Sequence, residues 1–323
     1  MSRRQVLAAA TLLVGTAFLL PAALAQATAP AWKPDRPVTI VVPYSPGGGT
    51  DIATRAVASW LGQYWRQPVT VENLAGADGL IGTRRVMEAK PDGSTLLTQQ
   101  NGLLLTKFTP GFKGADPMVR LEPVVQMSES PNTLVVRKGI TAQNFPQLFK
   151  HCAENKCSFA TASNAGRLQG YMLQAGHMPS LAIVGYKGAS GPITDLVAGN
   201  VDMALLGAST VAAMHKAGSL RVFATLGDQR PPGLPDVPTS REAGLAELYS
   251  VSWYGMFAPK GTPGDIVNGI ADAVRQALAD PAVGKAIVAA GAQPVGGTPE
   301  QFRKRLDEET ARFAPLAERY KFE

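Results

Sequence analysis

An uninterrupted apolar run at residues 38–42, Val-Thr-Ile-Val-Val, is rich in β-branched side chains and ends at Pro43. Such a run is typical of a strand buried on both faces, as in a parallel sheet. Residues 51–65 then carry apolar side chains three or four positions apart, which predicts an amphipathic helix. Thr50 or Asp51 is the predicted N-cap of this helix.

The same order of strand, loop and helix follows directly. Residues 69–71 predict a short strand, residues 80–89 a helix and residues 94–98 another strand. This alternation implies a parallel sheet in an α/β fold. We name the two glycine-rich connections loop 1 (residues 43–51) and loop 2 (residues 73–79).

A second series of alternating elements occupies the middle of the chain. Near the C-terminus, Thr298 and Gln301 form a capping-box pattern that predicts a last helix running to Arg319. The elements predicted for the second series are strands at 133–136, 158–161, 182–184, 202–206 and 221–225, and helices near 145–153, after residue 164 and at 193–198.

Two apolar extended stretches, at residues 121–127 and 250–259, lie between the two series. A chain of 323 residues favours two domains, because one hydrophobic core seldom grows past about 250 residues. We therefore predict two α/β lobes joined by two crossover strands. The first lobe is predicted at residues 26–126 and 252–323, and the second at residues 127–251.

Residues 1–25 have the pattern of a cleavable export signal. Arg3 and Arg4 precede an apolar stretch, and Ala-Leu-Ala at residues 23–25 is a small-x-small cleavage site. Paired arginines fit both the Sec and the twin-arginine export routes, so the route stays open. We predict a periplasmic protein.

The charge balance excludes some partners. Without Arg3 and Arg4, the chain has 29 basic and 25 acidic residues, a net charge of +4. It contains no run of basic residues that could bind along a phosphate backbone. We therefore expect no nucleic acid partner. No later run reaches about 18 uncharged apolar residues, so we expect no further membrane span.

The cysteines, Cys152 and Cys157, lie close together in the sequence. In an oxidising compartment this spacing predicts a local disulfide. A zinc site is the alternative, but it needs about four nitrogen or sulfur ligands, and only His151 lies beside the pair. We predict no metal site and no cofactor.

Both glycine-rich loops follow a predicted strand and open a helix, where free backbone N–H groups and the helix dipole favour an anion. The Lys-Ser/Thr of a phosphate-binding loop is replaced by Thr-Asp at the end of loop 1. The alternative is that both loops are only tight turns, for which glycine is the usual residue. The candidate ligand residues of the two loops are Tyr44, Ser45, Gly47, Gly48, Gly49, Thr50, Asp51, Gly76, Ala77 and Asp78.

Motifs of catalysis are absent from the sequence. The three histidines, at positions 151, 177 and 215, lie outside the candidate loops, and the chain has no G-x-S-x-G elbow and no H-E-x-x-H metal motif. We therefore predict a binding protein and no enzyme.

Several short motifs, in their order along the chain, resemble the substrate-binding proteins of tripartite tricarboxylate transporters, which are also called Bug proteins. The resemblance covers nearly all of the chain after the signal. The motifs that carry it are at residues 34–38, 42–51, 71–73, 76–77, 91–97, 186–188, 234–239, 242–245, 253–255, 258–259 and 262–263.

The resemblance implies a type II periplasmic-binding-protein fold, in which main-chain groups of loops 1 and 2 hold a small carboxylate and the second lobe closes over it. It also implies delivery of the ligand to a membrane transporter by a monomeric receptor. The alternative partner is the ectodomain of a sensor kinase. The further ligand residues that it implies are Thr161, Ser163, Asn164, Arg167, Tyr186 and Lys187 in the second lobe, with Asn101 and Asn132 in cleft loops.

Two charged residues of the second lobe leave alternatives open. Arg167 can pair bidentately with a second ligand carboxylate, or it can be solvated. Lys187 can attract an anion, or it can mark a turn.

The chain departs from the family at residues 161–166, where a Ser- and Gly-rich turn is usual, and at Gln169, where a histidine is common. Leu206 and Gly207 stand where members often carry an Asp or Asn that meets a ligand's amino group. This departure motivates the hypothesis that the ligand has no free ammonium group, so that a di- or monocarboxylate fits better than an acidic amino acid. We expect the ligand to be a di-, tri- or aromatic carboxylate.

Overall fold

The structure is a computed structural model that describes residues 32–109, 112–186 and 190–320. The predicted export signal and Lys187 lie outside these residues. The strands are β1 (Val38–Val42), β2 (Val69–Asn73), β3 (Thr95–Gln100), β4 (Leu121–Val136), β5 (Ser158–Thr161), β6 (Ala182–Gly185), β7 (Met203–Gly207), β8 (Arg221–Thr225), β9 (Val251–Pro259) and β10 (Gln293–Gly296). The helices are α1 (Gly49–Trp65), α2 (Leu80–Met87), α3 (Pro117–Arg120), α4 (Phe145–Asn155), α5 (Asn164–Gly176), α6 (Ser190–Ala198), α7 (Ala208–Lys216), α8 (Gly264–Ala279), α9 (Pro281–Ala289) and α10 (Pro299–Tyr320).

The strands follow the order β2-β1-β3-β9-β4-β7-β5-β6, and β8 and β10 also pair with β4. In the first lobe, β1 lies parallel to β2 and β3, as the alternating pattern predicts. In the second lobe, β5 lies parallel to β6 and β7. The antiparallel pair β4 and β9 joins the two lobes.

Strand β4 differs from the prediction, which placed a break between residues 127 and 133. The polar residues and Pro131 that resembled a loop instead pair with β9, with Ser128 opposite Tyr254 and Pro131 opposite Val251. The polar side chains also find partners, since the Ser130 hydroxyl donates to the carbonyl of Gly291, in the turn before β10, at 2.8 Å. One continuous strand therefore runs from the first lobe into the second.

Helices cover both faces of the first sheet. Val38 and Ile40 of β1 pack on the side of α1 and α8, and Val41 packs on the side of α10. Ala165 and Leu168 of α5, a helix of the second lobe, join the core on the α10 side. The two lobes are therefore in contact in this structure.

Cys152 and Cys157 are joined by a disulfide at the turn between α4 and β5, and both are buried. Within the described ranges, no three His, Cys, Asp or Glu residues cluster so that they could hold a metal ion. A search of the same ranges found no helix with the length and apolar character needed to span a membrane.

Helix α10 begins with the predicted capping box, since Thr298 accepts from the Gln301 N–H at 3.2 Å and the Gln301 side chain accepts from the Thr298 N–H at 2.8 Å. Further along this helix, the buried Glu309 accepts a hydrogen bond from Trp253 Nε1 of β9 at 2.8 Å. Arg305 lies 2.6 Å from Glu129 of β4. The C-terminal helix is thus attached to both strands that join the lobes.

The substitution Glu309→Gln should change how stability depends on pH. Burial raises the pKa of the Glu309 carboxyl above its ordinary value of 4.5, against the opposing effects of Trp253 and Arg305. The stabilisation from this proton is therefore full below pH 4.5 and is lost as the pH rises through the folded-state pKa. Glutamine still accepts from Trp253 and has no such loss. We would measure the free energy of unfolding in urea at pH 4 and at pH 8. Between these pH values, the wild type should lose about 1 kcal/mol more than the variant for each unit by which folding raises the Glu309 pKa.

The control is Glu308→Gln on the exposed side of the same helix, which should follow the wild-type pH dependence. A Glu309→Gln variant with the same pH dependence as the wild type would contradict the prediction.

Candidate functional site

Loop 1 ends in a helix without a side-chain cap. The predicted cap at Thr50 or Asp51 is wrong, because α1 begins at Gly49 and Gly48 is the N-cap, with no side-chain hydrogen bond. The N–H groups in the first turn of a helix have no acceptor within the helix. The N–H groups of residues 49–51 also find no acceptor on another described residue. These N–H groups and the helix dipole favour an anion at this point.

The glycines of loop 1 leave this helix end open. A Cβ at Gly47 would meet no atom within 4 Å, and one at Gly48 would meet only the Ser45 carbonyl oxygen, at 4.0 Å. Ser45, Gly47 and Gly48 are all exposed. At Gly47 the φ of 87° itself favours glycine. At Gly48, where the backbone is extended, neither packing nor the backbone angle requires glycine, and its absence of a side chain leaves the main chain open to a ligand.

Asp51 lies beneath the loop rather than at its surface. Its buried carboxylate accepts hydrogen bonds from the Gly47 N–H at 3.0 Å, from Asn73 Nδ2 at 2.9 Å and from Arg55 Nε at 3.0 Å. Burial by itself would raise the pKa of Asp51, but the hydrogen bonds from Arg55, Gly47 and Asn73 outweigh it and hold the pKa below its usual value. The ionised carboxylate of Asp51 thus holds loop 1 in place through these hydrogen bonds.

Asn73 connects loop 1 with loop 2. Its side-chain amide also donates to the Tyr44 carbonyl at 3.1 Å, and its oxygen accepts from Arg55 Nη2 at 2.7 Å. Asp51, Arg55 and Asn73 therefore form one network that fixes the two loops relative to each other.

Loop 2 turns through a strained left-handed segment. The φ angles are 133° at Gly76, 48° at Ala77, 52° at Asp78 and 86° at Gly79, and positive values are unfavourable for alanine. The Gly79 N–H closes this turn on the Gly76 carbonyl at 3.0 Å, and the Thr83 hydroxyl donates to the Gly79 carbonyl at 2.7 Å. The turn fixes where the exposed Asp78 side chain begins.

Tyr44 joins loop 1 to the sheet. Its hydroxyl donates to Gln99 Oε1 at 2.5 Å, and Gln99 Nε2 donates to the Thr83 hydroxyl at 3.1 Å. Burial raises the pKa of Tyr44 far above its usual range, and the charge of Asp78 acts in the same direction. Tyr44 is therefore a neutral phenol whose hydroxyl is already bonded.

Tyr254 and Gln99 are site residues that sequence reasoning missed. A Cβ at Gly49 would lie 2.9 Å from the Tyr254 hydroxyl, which places this phenol beside the N-terminus of α1. Its hydroxyl makes no hydrogen bond with any residue that the structure describes, and burial raises its pKa. The signal was present in the alternation of β9, because Trp253 is core and Tyr254 must then point to the opposite side.

In the second lobe, Thr161 and Ser163 shape the start of α5. The Ser163 hydroxyl caps the helix by accepting from the Gly166 N–H at 3.1 Å. The Thr161 hydroxyl donates to the Ser163 carbonyl at 3.2 Å, and a Cβ at Gly166 would overlap it. The hydroxyls of both residues thus make hydrogen bonds within the turn that precedes α5.

Asn164 and Arg167 bring the second lobe to loop 2. Asn164 Nδ2 donates to Asp78 Oδ2 at 2.8 Å. Arg167 is half-buried, and a Cβ at Gly185, where β6 ends, would lie 2.9 Å from its Nη2. These contacts place α5 and the end of β6 at the mouth of the same cleft as loop 2.

Other predicted ligand residues have local partners. The Tyr186 hydroxyl donates to Asp195 Oδ2 at 2.5 Å. The prediction that Asn101 and Asn132 lie in cleft loops is wrong, because Asn101 opens the 3₁₀ helix Asn101–Phe108 and Asn132 lies within β4. The Asn101 amide donates to the Val251 carbonyl at 3.3 Å, and the Asn132 amide donates to Ser250 at 2.9 Å.

A cavity of about 250 Å³ lies elsewhere, between α5, residues 245–248 and α10. Its walls include Leu173, Leu248 and Leu316, and it shares no residue with loop 1 or loop 2. The N–H groups that find no acceptor among the described residues lie at loop 1, which is therefore the candidate site.

Comparison with known families gives one match over most of the chain. The profile of the tripartite tricarboxylate transporter family receptor, TctC, matches residues 53–321. Among curated proteins, BugT of Bordetella pertussis is 32% identical over 307 residues, which are 92% of this chain and 93% of BugT. A protein from the tcbD-tcbE intergenic region of Pseudomonas sp. strain P51 is 35% identical over 297 residues, 89% of this chain and 87% of that protein.

Solved structures show the same fold. The periplasmic binding protein BugD is 30% identical, with a TM-score of 0.75 over 89% of this chain and 97% of BugD. MatC from Rhodopseudomonas palustris with bound malate is 27% identical, with a TM-score of 0.77 over 88% of this chain and 99% of MatC. Rpa4515 of R. palustris with adipate is also 27% identical, with a TM-score of 0.79 over 88% of this chain and 97% of that protein. The predicted periplasmic-binding-protein fold is confirmed.

Proposed function

This chain belongs to the tripartite tricarboxylate transporter receptor family, and from that premise we propose that it captures a small organic carboxylate between its two lobes. It then presents the closed, liganded form to a membrane transporter of the tripartite tricarboxylate type. The family consists of substrate-binding receptors, and its solved members are periplasmic binding proteins. We propose export by the N-terminal signal and action as a monomer in the periplasm.

The observation that carries this proposal is the uncapped N-terminus of α1. A carboxylate is an acceptor with two oxygens and a negative charge, which suits several convergent N–H donors at the positive end of a helix. The hydroxyl of Tyr254, which has no hydrogen-bond partner in the described part of the chain, lies beside these donors. We propose that it adds a hydrogen bond to the same carboxylate.

Related receptors support a carboxylate as the ligand class. MatC was solved with malate and Rpa4515 with adipate, and each is 27% identical to this chain. For this chain we propose a small carboxylic acid, either an aliphatic acid with one or more carboxylates or an aromatic acid. Asn164 and Arg167 of the second lobe would then close over the end of the ligand that loop 1 does not hold.

We also propose that the ligand has no ammonium group. Leu206 and Gly207 end β7, and this position carries no acidic side chain. Leu206 is buried in an apolar cluster, so β7 would offer no carboxylate to an ammonium held at this position, and an unpaired charge is unfavourable in a low-dielectric site. Aspartate and glutamate should therefore bind weakly.

A thermal-shift screen tests the proposal. We would measure the melting temperature of the mature protein with aliphatic and aromatic mono-, di- and tricarboxylates, each beside its primary amide. A ligand that binds only the folded state raises the melting temperature in proportion to the logarithm of its concentration at saturation. We expect a rise with at least one acid and none with its amide. The absence of a shift with every acid, or equal shifts with the amides, would contradict a carboxylate receptor.

A further inference from the structure

The side chain of Asp78 reaches from the first lobe to the second. Its Oδ2 accepts the hydrogen bond of 2.8 Å from Asn164 Nδ2, although the two residues are 86 positions apart in the chain. Asp78 belongs to loop 2, and Asn164 is the first residue of α5. A carboxylate of the protein itself therefore lies at the point where a ligand would meet the second lobe.

The position that Asp78 occupies is suited to an anion. Asn164 and Arg167 are three residues apart on α5, so their side chains lie on the same face of the first helical turn. The N-terminal end of the helix dipole adds a positive potential there. The Arg167 guanidinium makes no hydrogen bond or ion pair with another residue of the described ranges, and its positive charge acts to lower the pKa of Asp78.

The geometry of loop 2 holds Asp78 in place without a ligand. Its φ of 52° lies within the left-handed turn, which Gly79 and Thr83 close by hydrogen bonds. The cleft walls partly desolvate the Asp78 carboxyl and raise its pKa, although more than a third of the residue is exposed, and the charge of Arg167 acts in the opposite direction. The positive charge of Arg167 thus favours the ionised form of the Asp78 carboxyl.

We propose that Asp78 is a specificity-determining residue that supplies the anion for the second lobe, so that the ligand brings only one carboxylate. This inference rests on the proposed function, in which loop 1 holds the ligand carboxylate. A second ligand carboxylate would have to displace Asp78 from Asn164 and would lie close to its negative charge. The preferred ligand is therefore a monocarboxylate with an uncharged tail, because Asp78 occupies the position beside Asn164 that a second ligand carboxylate would take.

The test compares acids of equal length with one and two carboxylates. Hexanoate and adipate form one pair, and benzoate and terephthalate form another. Affinities would be measured by calorimetry on the wild type, Asp78→Asn and Asp78→Asn/Arg167→Gln. Asparagine tolerates a positive φ and keeps an acceptor for Asn164, so it removes the charge with little change of shape.

We expect the wild type to prefer the monoacid of a pair by about tenfold or more, since like charges brought together disfavour a partner. Asp78→Asn should shift the ratio by about tenfold or more toward the diacid, and the second substitution should cancel that shift. Glu72→Gln, which removes one exposed negative charge of β2 in the same lobe, should leave the ratio unchanged.

A wild type that prefers the diacids, or a ratio that Asp78→Asn does not change, would overturn this role of Asp78 while the carboxylate site stands. Tight binding of an amino acid that Asp78→Asn abolishes would also overturn it, because Asp78 would then bind an ammonium group. Failure of every acid to bind to every variant would overturn the proposed function itself.

Discussion

The substitution Asp51→Ala is expected to weaken carboxylate binding by about 100-fold. The alanine variant loses the acceptor that holds the Gly47 N–H, Arg55 and Asn73 together, so loop 1 is free to move relative to loop 2. A ligand must then order these residues itself, and ordering the backbone of one residue costs about 1–2 kcal/mol. If the ligand must order the backbone of two residues, its affinity falls by about 30-fold to several hundred-fold.

The matched control for this variant is Asp265→Ala, which also removes an acidic residue from the first turn of a helix in the first lobe. The exposed side chain of Asp265 has no hydrogen bond to another described residue, so the control separates loss of charge from loss of the loop network. Calorimetry would be carried out where urea unfolding shows each variant to be folded. Equal affinities of the wild type and Asp51→Ala would contradict the positioning role of Asp51.

The substitution Gly255→Val is expected to lower the free energy of unfolding by about 3 kcal/mol. A Cβ at Gly255 on β9 would overlap Cζ of Phe302 and lie 2.7 Å from its Cε1. Phe302 has no room to move away, because its ring is buried against Trp253 at 5.4 Å and Phe257 at 5.2 Å between centroids. The added side chain must therefore push α10 from the strand that joins the lobes.

A second substitution gives the control for Gly255→Val. Phe302→Leu removes part of the ring that overlaps the new side chain, so the double variant should recover part of the stability that Gly255→Val loses. The four free energies of unfolding form a double-mutant cycle, in which a coupling of about 1 kcal/mol or more is expected. Simple additivity of the two substitutions would contradict direct contact between residues 255 and 302.

The position of the carboxylate loops was predictable because two local signals agree. A β-branched run such as residues 38–42 marks a buried strand, and the glycines that follow it mark a turn where the main chain is accessible. What local signals missed was the exact start of α1. Asp51 resembles an N-cap, but its carboxylate is used from within the first turn to hold Gly47 and the second loop.

Contacts between distant parts of the chain were not predictable from spacing. Ser130, Pro131 and Asn132 resemble a loop, yet the pairing of β4 with β9 and the side-chain bonds to Gly291 and Ser250 make them part of a strand. Tyr254 approaches Gly49 only because β9 crosses between the lobes. Tertiary pairing overrides local preference at such positions.

The bridge between Asp78 and Asn164 shows the same limit. The sequence marks both residues as candidates in separate loops, but it does not show that one is the hydrogen-bond partner of the other. Their contact brings a carboxylate of the protein itself to the first turn of α5, the turn that also carries Arg167.

The most direct test of the central claim, that the free N–H groups at the start of α1 bind the ligand carboxylate, is calorimetric titration of Gly48→Ser with the acid found by the thermal-shift screen. A serine at the N-cap accepts from the N–H of Thr50 or Asp51 and stabilises the helix by a few tenths of a kcal/mol relative to glycine. Gly48→Ala, which adds only the Cβ, separates this effect from a steric one. We predict that Gly48→Ser is at least as stable as the wild type and binds the acid about tenfold or more weakly, since one hydrogen bond to a charged group contributes about 1.5–3 kcal/mol. A stable Gly48→Ser variant with wild-type affinity would contradict the claim.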